Sequence, residues 1–122
     1  MPVRGLTILV ATGDAERLHA ALTFGAAGAA TGAMVRLHLH EGAVALLRTP
    51  MAAPFDEERH QAGLPTLSQI FAEAVGIGVA ITVCQSGLAL ARMSLDDLGD
   101  GIEAQGPIGL LSMLGDDHFL VF

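Results

Sequence analysis

The chain of 122 residues carries 13 acidic residues against six arginines, for a formal net charge of −7, and 52% of its residues are hydrophobic. A chain of this length and apolar content can bury a core of its own, so we expect one domain over residues 1–122. Because it has no lysine and no basic stripe, nucleic-acid binding, Schiff-base catalysis and P-loop phosphate binding are not expected. The absence of tryptophan and tyrosine disfavours a flavin-type pocket.

The cysteine content and the N-terminus bear on the compartment. A single cysteine excludes an intramolecular disulfide and a cysteine-rich zinc site, and it fits a reducing compartment. The first apolar run is only a few residues long, too short for a signal sequence or a membrane span. We therefore expect a cytoplasmic protein that does not bind a membrane.

The first third of the sequence predicts a strand followed by a helix. Residues 4–10, RGLTILV, are rich in strand-forming residues and end at a Thr-Gly-Asp turn. Apolar residues at helical spacing follow, with Asp14 as the N-cap and Gly32 at the C-terminal left-handed position. Residues 24–30 of this helix have no charged side chain, so we expect them to be covered on both sides.

Residues 33–63 predict a second strand, a short helix and a loop. The run AMVRLHLH, residues 33–40, alternates apolar and polar side chains, as in a strand with one semi-polar face that ends near His40. Residues 41–48 fit one or two helical turns. Residues 49–63 hold two prolines and a charged cluster without periodicity, which predicts a surface loop: either a solvated segment or a mobile flap over the cysteine.

The second half continues the alternation of helices and strands. Helices are predicted within residues 64–78, 86–93, 94–101 and 106–115, and strands at residues 79–83, 102–105 and 118–122. Pro65 and Thr66 start the first of these helices, and Ser94 caps the third with Asp97. Since each parallel strand pair needs a crossover, the alternation predicts a flavodoxin-like three-layer α/β sandwich: a mostly parallel sheet of about five strands with helices on both faces.

Cys84 stands where a strand gives way to a helix. Ligands of open α/β sheets bind outside the carboxyl ends of the strands, and a thiol at a helix start faces unpaired N–H groups that favour the thiolate. Gln85 and Ser86 add polar neighbours. A phosphatase-type loop is excluded because Leu90, not arginine, lies six residues after the cysteine. A reactive Cys84 should be accessible and partly ionised, but free cysteines are often inert core residues, so that alternative stays open.

Two histidines lie near the same edge of the predicted sheet. His38 and His40 are two residues apart, so on a strand both point to one face. His40 is closer to the strand end, and its protonated imidazole would favour a Cys84 thiolate. A metal site on this pair lacks a clear third ligand: Glu41 or His60 would serve, but nothing in the sequence fixes either, so no metal is predicted. The alternative role is a pair of partly exposed histidines with polar partners.

Two segments carry a family resemblance. Residues 79–114, VAITVCQSGLALARMSLDDLGDGIEAQGPIGLLSML, comprise a strand ending in Cys-Gln, a short helix, a Ser-Leu-Asp-Asp-Leu segment, an Ile-Glu strand after glycine, and a glycine that opens the next helix. Residues 6–47 add a strand, a Thr-Gly turn, a helix and a strand. Together these segments resemble the DsrE/DsrF-like sulfur-relay family, the group that includes TusD and YchN.

The resemblance implies a function as well as a fold. It implies a homo-oligomer, either trimer or hexamer, in which Cys84 holds a persulfide received from a sulfur-donor protein and passed to an acceptor protein, as a sulfurtransferase-type carrier without cofactor. It assigns no role to His38 or His40. Two alternatives stay open: a non-enzymatic interaction or regulatory module on the same fold with a structural cysteine, and a small-molecule or metal sensor that uses His38, His40 and Cys84.

Overall fold

The computed structural model describes residues 3–122, which contain a five-stranded sheet. The strands are β1 (Leu6–Val10), β2 (Val35–Leu39), β3 (Ala80–Val83), β4 (Glu103–Ala104) and β5 (His118–Val121). They lie in the order β4-β3-β2-β1-β5, and every neighbouring pair is parallel. The predicted flavodoxin-like α/β fold with five strands is confirmed.

Helices connect the strands, and several begin at the predicted caps. The α-helices are α1 (Ala15–Ala30), α2 (Asp56–Gln61), α3 (Leu67–Gly76), α4 (Gln85–Ala91) and α5 (Pro107–Ser112), with 3-10 helices at Glu41–Leu47 and Leu95–Asp97. Asp14 accepts two backbone N–H bonds from the first turn of α1, and Thr66 and Gln69 form a reciprocal capping box on α3. None of the helices in residues 3–122 has both the length and the apolar character that crossing a membrane requires.

The core lies between one face of the sheet and helices α1 and α3. Four alternating strand residues are fully buried on this face: Ile8, Val10, Leu37 and Leu39. From β1 to β4, each strand is added on the same side of the preceding strand. Because crossovers between parallel strands are right-handed, the three connections lie on this one face of the sheet. Strand β5 returns to the other side of β1, so α5 packs on the opposite face. Because α5 has only six residues, that opposite face is less completely covered.

The segment at residues 49–63 differs from the predicted loop. Its residues 56–61 form α2, and the Asp56 carboxylate accepts the backbone N–H groups of Ala53 and Leu67, each at 2.9 Å. Arg59 donates to both oxygens of Glu16, at 2.5 and 3.0 Å, and this hydrogen bond lowers the pKa of the Glu16 carboxyl. These contacts fix the segment against α1 and α3 and give no support to a mobile flap over the cysteine.

Two apolar regions are exposed on a single copy of the chain. Phe24 is 57% exposed, and Ala27 and Ala30 on the same helix are exposed as well. The prediction that residues 24–30 are covered on both sides is therefore wrong for one copy. All four residues of β5 are exposed too, although three of them are apolar. Native proteins rarely leave an apolar edge strand in solvent, so these two surfaces are candidates for contacts with other chains.

Candidate functional site

The carboxyl ends of β2 and β3 bring the main site residues together. The two strands are parallel neighbours, with Leu39 opposite Val83. The next residues, His40 and Cys84, therefore leave the sheet side by side. The N–H of Cys84 extends the ladder by donating to Leu39 O at 3.2 Å. Strand β3 ends at Val83 and α4 begins at Gln85, so the predicted place of Cys84 between strand and helix is confirmed.

The sulfur of Cys84 is surrounded by hydrogen-bonding groups. Its Sγ accepts the backbone N–H of Glu41 at 3.0 Å and that of Gly87 at 3.1 Å. The Ser86 hydroxyl lies 3.5 Å from Sγ and donates to the Glu41 carboxylate at 2.5 Å. Two N–H groups directed at one sulfur stabilise negative charge on it, whereas the carboxylate, within 4.8 Å of Sγ, opposes that charge.

Cys84 is buried, contrary to the prediction of an accessible thiol. Only 3% of the residue is exposed, and Val44 and Leu88 belong to the same buried cluster. Part of the cover is the backbone at Glu41, which lies in the left-handed region with φ of 49°. A left-handed conformation costs a residue with a side chain roughly 1–2 kcal/mol. The segment that covers the sulfur is therefore held in a strained conformation.

Gly87 allows α4 to approach this strained segment. A Cβ atom at position 87 would lie 2.7 Å from the carbonyl oxygen of Glu41 and 3.0 Å from Cys84 Sγ, and it would overlap the Val44 side chain. Such distances are shorter than van der Waals contact, so no other residue fits without movement of the backbone. Gly87 thus sets the distance between α4 and the cover of the sulfur.

Three side chains of metal-ligand type meet at this edge. One donor atom each from His40, Glu41 and Cys84 lies within 4.8 Å of the others. Donor atoms around a tetrahedral zinc ion lie about 3.5 Å apart, as its bond lengths require, so any of these separations that approaches 4.8 Å would have to shorten on zinc binding. The structure thus supplies in Glu41 the third donor that the sequence left unfixed. That this site holds no metal stays a prediction.

His38 lies apart from the cluster around Cys84. It is 1% exposed, and its Nδ1 shares a hydrogen bond of 2.8 Å with Thr82 Oγ1 on the neighbouring strand. Burial lowers the pKa of the His38 imidazole, and the nearby His40 lowers it further. His38 is therefore neutral at pH 7 and is not the partly exposed histidine that the sequence also allowed.

The neutral state of His38 predicts a pH-dependent stability. The unfolded chain takes up a proton near the ordinary pKa of 6.5, whereas the folded chain takes it up only at lower pH. The contribution of His38 is thus complete above about pH 7.5 and is lost as the pH falls through 6.5. Between about pH 7.5 and 5.5 the free energy of unfolding should fall more in the wild type than in His38→Gln, by at most about 1.4 kcal/mol, the limit for an imidazole that stays neutral in the folded chain. Urea unfolding at both pH values measures this difference, and equal losses in the two proteins would contradict it.

The sequence identified part of this cluster. Of the predicted residues, Cys84, His40 and Ser86 come together, while Gln85 is exposed on the first turn of α4. Glu41 was considered only as a metal ligand, and its N–H bond to the sulfur was missed. The packing role of Gly87 had one signal in the sequence. A glycine within a predicted helix lowers helix stability, so its presence three residues after the cysteine indicates a packing reason.

The fold and this site define a five-stranded, all-parallel, flavodoxin-like α/β protein with one cysteine at the carboxyl end of a strand. No protein-family model matches the chain, and no curated protein sequence matches it. Among solved structures, the chain is similar to the ychN protein from E. coli, with 20% identity, a TM-score of 0.67, and coverage of 97% of this chain and 99% of that chain.

Two further solved structures share the fold. MTH1491 from Methanobacterium thermoautotrophicum, a protein of unknown function, is 16% identical, with a TM-score of 0.67 and coverage of 98% and 100% of the two chains. BT1422 from Bacteroides thetaiotaomicron, a conserved protein of unknown function, is 17% identical, with a TM-score of 0.69 and coverage of 98% and 95%. At these identities the comparisons show the fold alone, and membership of the sulfur-relay family stays a prediction.

Proposed function

We propose that this protein is a cytoplasmic sulfur carrier that holds a persulfide on Cys84 and passes the outer sulfur to a partner protein. The observation that supports it most is the pair of backbone N–H groups, from Glu41 and Gly87, directed at the sulfur of the single cysteine. Both the thiolate and the persulfide carry negative charge, which these donors stabilise. The fold shared with YchN, a member of the family that the sequence resembles, supports the same assignment.

The reaction is two successive exchanges at sulfur. The Cys84 thiolate attacks the outer sulfur of a donor persulfide, a new S–S bond forms, and the donor leaves as a thiolate. An acceptor thiolate then attacks the outer sulfur on Cys84, which leaves as a thiolate in turn. No electrons are gained or lost overall, so neither a cofactor nor a metal is required.

Burial of Cys84 adds a step to this reaction. A donor reaches the sulfur only after the Glu41 segment moves away, and the left-handed conformation of Glu41 makes that movement less costly. The polar side chains of Glu41 and Ser86 then face the opened site. The segment opens transiently on its own, which lets a small persulfide reach the sulfur, and a docked partner protein holds it open for transfer.

The test is sulfur loading of the folded protein. Wild-type protein is incubated with glutathione persulfide, and its intact mass is recorded over time, with urea-unfolded protein as the control. The folded protein should gain one sulfur atom and lose it again when dithiothreitol is added. If only the unfolded protein gains sulfur, Cys84 is a structural residue and the regulatory or interaction module is the better assignment.

We also propose that the protein forms a homo-oligomer, a trimer or a hexamer. The exposed apolar strand β5 and the neighbouring helix α5 support this proposal. Three large apolar residues of α5 and its C-cap are exposed to solvent: Ile108, Leu111 and Met113. The exposed Phe24 on α1 adds to this surface, because its ring centroid lies 6.1 Å from that of Phe122, which follows β5. The exposed patch on α1 thus adjoins the end of β5.

A charge on the β5 edge should break such an oligomer. Val121 is 59% exposed at the end of β5, and a lysine there would be buried unpaired in a contact between copies. Light scattering after size exclusion should give three or six times the 12.6 kDa mass for the wild type and a smaller assembly for Val121→Lys. Leu64→Lys, at a similarly exposed apolar residue that lines a different cavity with no residue of β5 or α5, should leave the mass unchanged. A monomeric wild type would overturn the proposal.

A further inference from the structure

A cavity of about 240 Å³ lies between α5 and the less covered face of the sheet. Its walls come from β1, β2, the residue after β2, β5 and α5, and they are mostly apolar: Leu9, His38, His40, Pro107, Leu110, Leu111 and Phe119. The described lining holds no carboxylate and no arginine. The topology explains the cavity, because a single six-residue helix covers a face that spans several strands.

His38 gives this cavity one polar group without a partner. The imidazole lines the cavity and is 1% exposed. Its Nδ1 is paired with Thr82, but within residues 3–122 its Nε2 is a buried side-chain nitrogen that makes no hydrogen bond. Buried polar atoms are nearly always hydrogen-bonded, and an exception calls for an explanation. A ligand that supplies the missing partner is such an explanation.

We propose that this cavity binds a small uncharged molecule, of the size of one aromatic ring, whose hydroxyl group hydrogen-bonds to His38 Nε2. The size follows from the volume, since an apolar cavity of about 150 Å³ already holds benzene. The hydroxyl follows from the tautomers of His38: Thr82 Oγ1 can pair with Nδ1 in either tautomer, so Nε2 is either a donor or an acceptor, and a hydroxyl group can pair with it in both cases. The ligand is uncharged because the cavity walls are apolar and the His38 imidazole is neutral, since burial lowers the pKa of His38.

Phenol, toluene and benzoate are the probes for this proposal. They share one ring and differ in carrying a hydroxyl, a methyl or a charged group. In ligand-observed NMR titrations, phenol should bind the wild type about three- to tenfold more tightly than toluene, as one net hydrogen bond provides, and benzoate should bind most weakly. In His38→Leu the preference for phenol over toluene should disappear. Equal affinities in the wild type, tighter binding of benzoate, or no binding of phenol at tens of millimolar would each overturn the proposal.

A second pair of variants does not depend on His38. Leu111 lines the cavity and is 57% exposed, while Leu64 is 56% exposed, does not line it and lies outside the apolar surface at β5 and α5. Leu111→Trp should fill the cavity and abolish phenol binding, whereas Leu64→Trp should retain it. In the wild type, phenol should also shift the Nε2 resonance of His38 in ¹⁵N spectra. Phenol binding that survives in Leu111→Trp, or an unchanged His38 resonance, would place the ligand elsewhere and overturn the proposal.

Discussion

Cys84→Ser is expected to abolish sulfur loading completely while the fold is retained. A serine hydroxyl cannot form a persulfide, and the chain contains no other thiol. The hydroxyl can still accept the N–H groups of Glu41 and Gly87, which the sulfur accepts at 3.0 and 3.1 Å. We therefore expect a loss of only about 1 kcal/mol in the free energy of unfolding. Intact mass after incubation with glutathione persulfide measures the loading, and urea unfolding measures the stability.

Cys84→Ala separates the chemical role of the sulfur from its structural role. Alanine offers no acceptor, so the two N–H groups at Glu41 and Gly87 lose their partner in a buried site, at a cost of about 1–3 kcal/mol each. Cys84→Ala should therefore be less stable than Cys84→Ser, although neither variant takes up sulfur. Sulfur uptake by Cys84→Ser would show that the adduct forms at another group and would contradict the proposed carrier function.

Most of the fold was predictable because its determinants are local. The strands and helices follow from apolar periodicity and from caps such as Asp14 and Thr66, which act within one helical turn. Helix α2 was missed because its stability depends on contacts between distant residues. Arg59 pairs with Glu16, which is 43 residues away, and no periodicity within residues 49–63 reveals that pair.

The candidate site was predictable in position but not in its degree of burial. The order of strand and helix places Cys84 at the carboxyl edge, and the parallel register with β2 places His40 beside it. The cover of the sulfur comes from Glu41, 43 residues earlier in the chain, whose positive φ directs its N–H at Sγ. A left-handed glutamate is not expected from its residue type, so the sequence suggested an open thiol. The cavity beside His38 likewise depends on how α5 packs.

Gly87→Ala is expected to destabilise the protein by about 1–3 kcal/mol, the usual cost of overpacking a buried site. The added methyl group would meet the Glu41 carbonyl oxygen at 2.7 Å and Cys84 Sγ at 3.0 Å, and would overlap Val44. A side chain can rotate away, but the Glu41 carbonyl moves only with its backbone. The variant should therefore displace the cover of the sulfur, and iodoacetamide should alkylate Cys84 faster in Gly87→Ala than in the wild type, as intact mass measures under native conditions.

Gly76→Ala is the matched control, because helix propensity and steric overlap predict opposite signs at these two glycines. Both residues lie in helices, where alanine is favoured over glycine by up to about 1 kcal/mol. A Cβ atom at Gly76 would meet nothing within 4 Å, so Gly76→Ala should be as stable as the wild type or slightly more stable, with unchanged alkylation of Cys84. If Gly87→Ala behaves in the same way, α4 does not press on the Glu41 segment. The sulfur would then be covered by a segment that moves independently of α4, and opening of the site would not involve that helix.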